Sequence, residues 1–223
     1  MPKVTEEYRQ QKRKEIIDAA YRVCLRKPIT SVEMKDVIAE TGFSHGVVYR
    51  YYSDLDDILV DLVIRINTEH RIDDRVEKIL AEAGSDYNSA VRKICLMLAD
   101  YLEEIGPDLI RLTLYCDMLA MSDYDRFVKI GDKVAAAVPS PLAYVTQRLE
   151  NYLNNFFHMH TCTPPTHDMR QVMLFFTMTY QGIQTAFVLD EQLKSHGRPG
   201  AVNTRLMFIE LADAITLMLG RRG

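Results

Sequence analysis

An all-α fold is what this sequence predicts, and three observations predict it. Apolar residues recur at i, i+3, i+4 and i+7 in one segment after another, the signature of helices with one covered face. Ten glycines and eight prolines in 223 residues are too few for a loop-rich β architecture. Many of them fall between the periodic segments, where turn chemistry puts them. The length suits one large domain or a small module fused to a larger one, and either buries a proper core.

Taken in order, the first helix shows its buried face in Ile16, Ala19, Ala20, Val23 and Cys24 and is stopped by Pro28. Thr30 or Ser31 then offers an N-cap, and Thr30 with Glu33 has capping-box spacing. A second helix runs to about Thr41, and Gly42 supplies the turn because a residue without Cβ takes positive φ after a helix. Ser44 caps a third helix over His45 to Tyr52. Ser53-Asp54 breaks the chain again and caps a long fourth helix with Ile58, Leu59, Leu62, Val63 and Ile66 on its covered face. Later turns are expected at Gly84-Ser85, Gly106-Pro107, Pro139-Ser140-Pro141, Thr163-Pro164-Pro165 and Gly197 to Gly200. The last two helical segments, Val172 to Leu189 and Leu206 to Leu219, are apolar nearly all round and need cover on most sides. A second copy of the chain supplies it if the two pair about a twofold axis into a four-helix bundle.

The net charge of −4 conceals an asymmetry: residues 1–53 sum to +3 and the remainder to −7. A basic head on an acidic body points to a polyanion met by the head alone. Cys24, Cys95, Cys116 and Cys162 lack CxxC spacing, and the first three sit in apolar surroundings that suit reduced thiols. The N-terminus has no apolar signal-peptide core, and no apolar run approaches the roughly 18–20 residues of a membrane span, so a soluble cytoplasmic protein is expected.

Within the head, "AETGFSHGVVYRYYSDLDDIL" (Ala39 to Leu59) is too polar for core and too aromatic for an ordinary solvated surface. Helix, glycine turn and short helix over residues 31–52 read as a helix-turn-helix. Eight helical residues span roughly 12 Å, comparable with a major groove roughly 12 Å wide. With Val48 and Tyr52 turned inward at i and i+4, His45, Gly46, Tyr49 and Arg50 are left facing out. Preceded by "IIDAAYRVC", the string Gly-x-Ser-x-Gly-x-x-Tyr-x-Tyr resembles the N-terminal DNA-binding domain of the tetracycline-repressor (TetR) family over about residues 10–62. The resemblance implies a homodimer that binds a near-palindromic operator on double-stranded DNA, most often as a repressor, and lets go when a small molecule fills a C-terminal pocket. Carried over by position, Ser44, Tyr49 and Tyr51 contact phosphates, His45, Gly46, Val47 and Arg50 lie against bases, and Lys35 joins them as a DNA-contacting cation. Three positions depart from the pattern. Leu55 stands among Asp54, Asp56 and Asp57 where the family usually has a phosphate-gripping lysine; Glu33 replaces a Ser or Thr; Ile38 replaces an alanine.

The expected organisation is thus a DNA-binding domain over 1–53 and a helical-bundle ligand-binding and dimerisation domain over 54–223, paired through the two C-terminal helices. Tyr115 and Met118, Tyr152 and Phe156, and Phe176, Tyr180 and Gln184 have spacings that put large apolar groups with a few polar tips on common faces, as a mostly apolar effector needs. In "FFHMHTCTPPTHD", His158, His160, Cys162 and His167 are weak metal-ligand candidates: the residue types suit zinc, the spacing matches no common site, and no cofactor is expected. A metal- or redox-responsive regulator is the alternative. No Gly-rich phosphate loop, nucleophile elbow or HExxH is present, which argues against an enzyme.

Overall fold

The computed structural model describes residues 5–159, 165 and 167–220, and all regular structure among them is helical. Ten α-helices follow one another there: α1 Glu6–Arg26, α2 Met34–Thr41, α3 His45–Val48, α4 Leu55–Glu69, α5 Asp73–Ala83, α6 Tyr87–Ser122, α7 Tyr124–Ala137, α8 Pro141–Met159, α9 Met169–Ser195 and α10 Thr204–Leu219. Contacts divide the chain into two compact units. One takes the chain up to Glu69 together with Arg111–Pro139; the other takes His70–Ile110 and the chain from Ser140 onward.

In the first unit α1 packs on α2 and α4, and α4 on α7. The periodic face read from the sequence is the one buried: Ile16, Ala19 and Ala20 have no exposure and Val23 and Cys24 almost none. The alanine pair lets neighbouring helices approach closely, and Val37, Val48, Ile58, Leu59 and Leu62 complete the core. Each large aliphatic side chain buried this way contributes about 1.5–3 kcal/mol against exposure. The packing unit therefore extends beyond residue 53, because α4 buries its apolar face on α1 and α7.

One cap differs from expectation. Thr30 and Ser31 lie in a 3₁₀ turn, Ile29–Ser31, and α2 begins later, with Glu33 as N-cap. The carboxylate of Asp36 accepts the Glu33 N–H at 2.9 Å, closing a box three residues beyond the predicted one. Gly42 does end α2 in the left-handed region at φ 68°, and Asp54 Oδ1 accepts the Asp57 N–H at 2.9 Å to start α4.

In the second unit α5 packs on α8, α8 on α9 and α9 on α10, around Leu149, Leu153, Phe176 and Phe208. The break expected at Gly106-Pro107 is present: the two helical stretches of α6 meet there at a non-helical Gly106, φ 76°, ψ 166°. Pro107 is tolerated there because its missing N–H falls where the helical ladder is already broken. Contrary to the sequence expectation, one described helix, α9, is long and apolar enough to cross a membrane by length and composition; its buried residues include Val172, Phe176, Tyr180 and Ile183.

Candidate nucleic-acid interface

The turn between α2 and α3 is built by Thr41, whose hydroxyl donates to Ile38 O at 2.7 Å and accepts the Phe43 N–H at 3.0 Å. This small hinge carried no strong sequence signal, since threonine at a helix end is common. Ser44 follows as N-cap of α3 through its carbonyl, which accepts from Val47 and Val48. Its hydroxyl makes no capping bond, which leaves that oxygen for another partner.

The predicted third helix over His45 to Tyr52 is one α-helical turn to Val48 followed by a tighter one. Arg50 N–H bonds Val47 O at 3.3 Å and Tyr51 N–H bonds Val48 O at 2.9 Å, before Tyr52 N–H returns to Val48 O at 3.1 Å. The i→i−3 bonds tighten the coil, as at many helix ends. Val48 at 0% and Tyr52 at 2% exposure anchor it to the core. Ser44, His45, Gly46, Tyr49 and Arg50 are exposed, and Val47 and Tyr51 half-buried. His45 and Tyr49 stack with ring centroids 6.5 Å apart.

Gly46 bears on what this face is for. Glycine weakens a helix by about 1 kcal/mol relative to alanine. Yet a Cβ at Gly46 meets nothing within 4 Å, and its φ is not positive. Neither strain nor crowding within the chain explains the glycine. Its missing Cβ leaves the backbone open at an exposed point of the segment.

Tyr52 turns its hydroxyl to Asp61 Oδ2 at 2.8 Å, and burial together with that carboxylate pushes the phenol pKa up. Arg13 binds the same oxygen at 2.7 Å and stacks over the Tyr52 ring at 4.7 Å. Lys12 lies 4.3 Å from the Phe43 ring centre while bonding Glu15 at 2.8 Å, and Lys14 bonds Asp18 at 3.1 Å. The basic face of α1 is thus largely spent on internal partners. Lys35 is exposed and paired with Glu33, which raises its pKa. Arg50 has no ion pair or hydrogen bond among the described residues and is the cation free at the centre of the face.

The effector residues proposed from sequence are distributed differently. Tyr115 and Met118 belong to the first unit and the other five to the second. Met118 is 48% exposed, whereas Phe156, Phe176, Tyr180 and Gln184 are buried. Tyr152 donates to Gly84 O at 2.9 Å, Phe156 packs on Tyr87 at 5.0 Å, and Gln184 Nε2 donates to the Tyr180 hydroxyl at 3.4 Å. A cavity of about 280 Å³ lies instead in the first unit, lined by Val23, Arg26, Lys27, Asp36, Ala39 and Glu40. Its charges already pair: Arg26 with Glu40 at 2.5 Å and Lys27 with Asp36 at 2.6 Å.

Of the metal-ligand candidates, His160 and Cys162 lie outside the described residues. His158 is exposed at the end of α8, and His167 Nδ1 is 3.3 Å from Met218 O. No cluster of three metal-ligating side chains occurs among the described residues. Cys24 and Cys95 are buried, and burial pushes their thiols up to about 11 and about 12, the opposite of a reactive thiolate.

Residues 16–62 match the family described as bacterial regulatory proteins, tetR family. An HTH-type transcriptional regulator of Bacillus subtilis, YfiR, is 31% identical over 104 residues, a stretch that spans 47% of this chain and 45% of that protein. Among solved structures, the fatty acid degradation regulator FadR from Bacillus halodurans superposes with a TM-score of 0.62 at 17% identity, covering 95% of this chain and 97% of that one. A TetR transcription regulator from Haloarcula marismortui gives 0.60 at 19% identity, covering 92% and 98%. At these identities the structures establish a shared all-helical fold.

Proposed function

We propose that this chain, a member of the tetR family of bacterial regulatory proteins through residues 16–62, binds a near-palindromic DNA operator as a homodimer and releases it when a small, mostly apolar molecule is bound. Its relatives are transcriptional regulators and not enzymes. The observation that carries the DNA reading is the exposed face of His45, Gly46, Tyr49 and Arg50 on a helix whose inner side is anchored by Val48 and Tyr52. Ser44, Tyr49 and Tyr51 offer hydroxyls to phosphate, and Arg50 offers a guanidinium to a guanine edge or a phosphate.

The dimer reading draws on α9. Leu174, Met178, Gly182, Thr185, Leu189 and Leu193 form an exposed stripe at spacings of four, four, three, four and four residues. At 1.5 Å per residue it runs about 28 Å. Leu206 and Leu217 on α10 are exposed as well. A second copy docked on these helices covers both, and operator binding requires the two recognition helices to lie about 34–36 Å apart, one helical turn of DNA.

The effector reading draws on the buried Gln184–Tyr180 pair, two polar groups amid apolar core, a pattern suited to orienting a greasy ligand with few hydrogen bonds. The Bacillus halodurans protein of like fold is named a fatty acid degradation regulator, so fatty acids are included among the compounds to screen. The test of the whole proposal is fluorescence anisotropy on the chain's own upstream DNA with and without acyl and aromatic compounds. Specific binding above random duplex, lost with one such compound, is expected. Equal affinity for every duplex would sink operator recognition, and indifference to all compounds would sink the sensing half.

A further inference from the structure

Three carboxylates crowd the start of α4, directly after the recognition segment. Asp54, Asp56 and Asp57 lie three to six residues beyond Tyr51, and Leu55 sits among them. Bare, they would put three negative charges beside any DNA backbone held by Ser44, Tyr49 and Tyr51. Exposed like charges act over about 10 Å at 0.1 M salt, and three residues of chain span at most about 11 Å.

They are not bare. Helix α7 presents Arg126, Lys129 and Lys133 at spacings of three and four, one helical face. Arg126 Nε bonds Asp56 at 2.7 Å, Lys129 reaches Asp56 at 3.1 Å and Asp54 at 4.0 Å, and Lys133 bonds Asp57 at 2.8 Å. Ser53 Oγ also donates to Asp57 at 3.1 Å. Three cations against three anions leave this corner neutral. The Arg126–Asp56 pair is about four-fifths buried, while both lysines are about half exposed. The partners are some 70 residues apart in sequence, in one compact unit.

We propose that α7, through Lys129 and Lys133, is an electrostatic shield for the DNA-binding surface: it cancels the carboxylates at the α4 N-terminus so that phosphate can approach Tyr49 and Tyr51. This rests on the DNA-binding reading above and assigns part of the DNA affinity to residues far outside the helix-turn-helix. Lys129 and Lys133 are positioning residues, acting through Asp54, Asp56 and Asp57.

The test is one of sign. Lys133→Gln and Asp57→Asn each break the same ion pair. A merely structural clasp would make both weaken DNA binding. A shield makes them act oppositely: Lys133→Gln, and more so Lys129→Gln with Lys133→Gln, loses about three- to tenfold in affinity for operator and random duplex alike at about 0.1 M salt. Asp57→Asn binds about two- to fivefold more tightly, and Lys133→Gln with Asp57→Asn returns close to wild type. Circular dichroism and melting temperature identify any variant that fails to fold, and Lys133→Arg, which keeps the charge, retains wild-type affinity. Weakened binding by folded Asp57→Asn, or a lysine variant that Asp57→Asn does not rescue, would overturn the shield while leaving DNA binding intact. Absence of duplex binding by the wild-type protein overturns both readings together.

Discussion

The Tyr52 hydroxyl donates to Asp61 at 2.8 Å, so the last residue of the recognition segment is tied to the second turn of α4. Arg13 binds the same carboxylate oxygen from α1. Three helical segments thus share one oxygen, and the two donors are not equivalent: Tyr52 is buried and Arg13 is about half exposed. Tyr52→Phe removes one donor and leaves Asp61 paired, so a loss of about 1 kcal/mol is expected in urea denaturation. Asp61→Ala orphans the buried phenol, and a larger loss of about 1–3 kcal/mol is expected.

Tyr49→Phe removes only an exposed hydroxyl. It should weaken operator and random duplex equally and leave the salt slope nearly unchanged, because that slope counts neutralising charges. Arg50→Ala separates two roles for the free cation. A base-reading arginine costs about 1–3 kcal/mol at one base position and relaxes preference there; a phosphate-gripping one weakens all sequences and lowers the slope by about one ion. Anisotropy across a salt series reads both, and unchanged affinity in both variants would remove the groove assignment.

In the second unit, the bidentate Arg148 guanidinium and the Tyr144 hydroxyl hold the Glu77 carboxyl down to about 2 from its ordinary 4.5. A depressed carboxyl stabilises the fold fully above its unfolded value and loses that contribution as pH falls towards about 2. Glu77→Gln should therefore flatten the acid limb of stability between about pH 4.5 and 2, followed by chemical denaturation. Both partners are more than a third exposed, so added salt should shrink the difference.

Gly106 occupies a backbone region that side chains avoid, at φ 76° and ψ 166°. Gly106→Ala should cost about 1–3 kcal/mol. Gly131 lies within α7 with nothing within 4 Å of an added Cβ, so Gly131→Ala should stabilise by about 0.4–1 kcal/mol. A Gly106→Ala melting temperature at or above that of the unsubstituted protein would show that the kink does not require its glycine.

Met178→Glu with Leu189→Glu places two charges in the exposed α9 stripe, where both side chains are more than half exposed. A folded monomer with reduced operator affinity is expected by analytical ultracentrifugation. A variant that remains dimeric would move the interface elsewhere.

What the sequence disclosed followed a rule. Periodic patterns were legible, so the α1 face and the inward placement of Val48 and Tyr52 could be read directly. Competition between neighbouring caps was not: Thr30 and Glu33 have the right spacing, but Pro28 and the 3₁₀ turn delay the helix until Glu33 takes the cap position. Gly106 and Pro107 oppose helix and do break it, and what their identity left unread is how short the break is, since helix resumes directly after the kink. The ion pairs from Asp56 and Asp57 to α7 had no signal at all, since charge complementarity across some 70 residues leaves no local pattern. Spacing alone did not assign the effector face, because aromatic stripes that pack and aromatic stripes that bind have the same spacing.

The division of labour within the recognition segment has an evolutionary corollary. Two side chains, Val48 and Tyr52, secure it, while Ser44, His45, Gly46, Tyr49 and Arg50 are exposed. Substitutions at exposed positions away from caps and special backbone usually shift stability by within about 0.5 kcal/mol. Apart from Ser44, which caps α3, these positions can therefore drift, or be exchanged by design, almost without cost to folding. Under the proposed function, a lineage acquires a new operator by rewriting those positions and leaves the rest of the chain untouched.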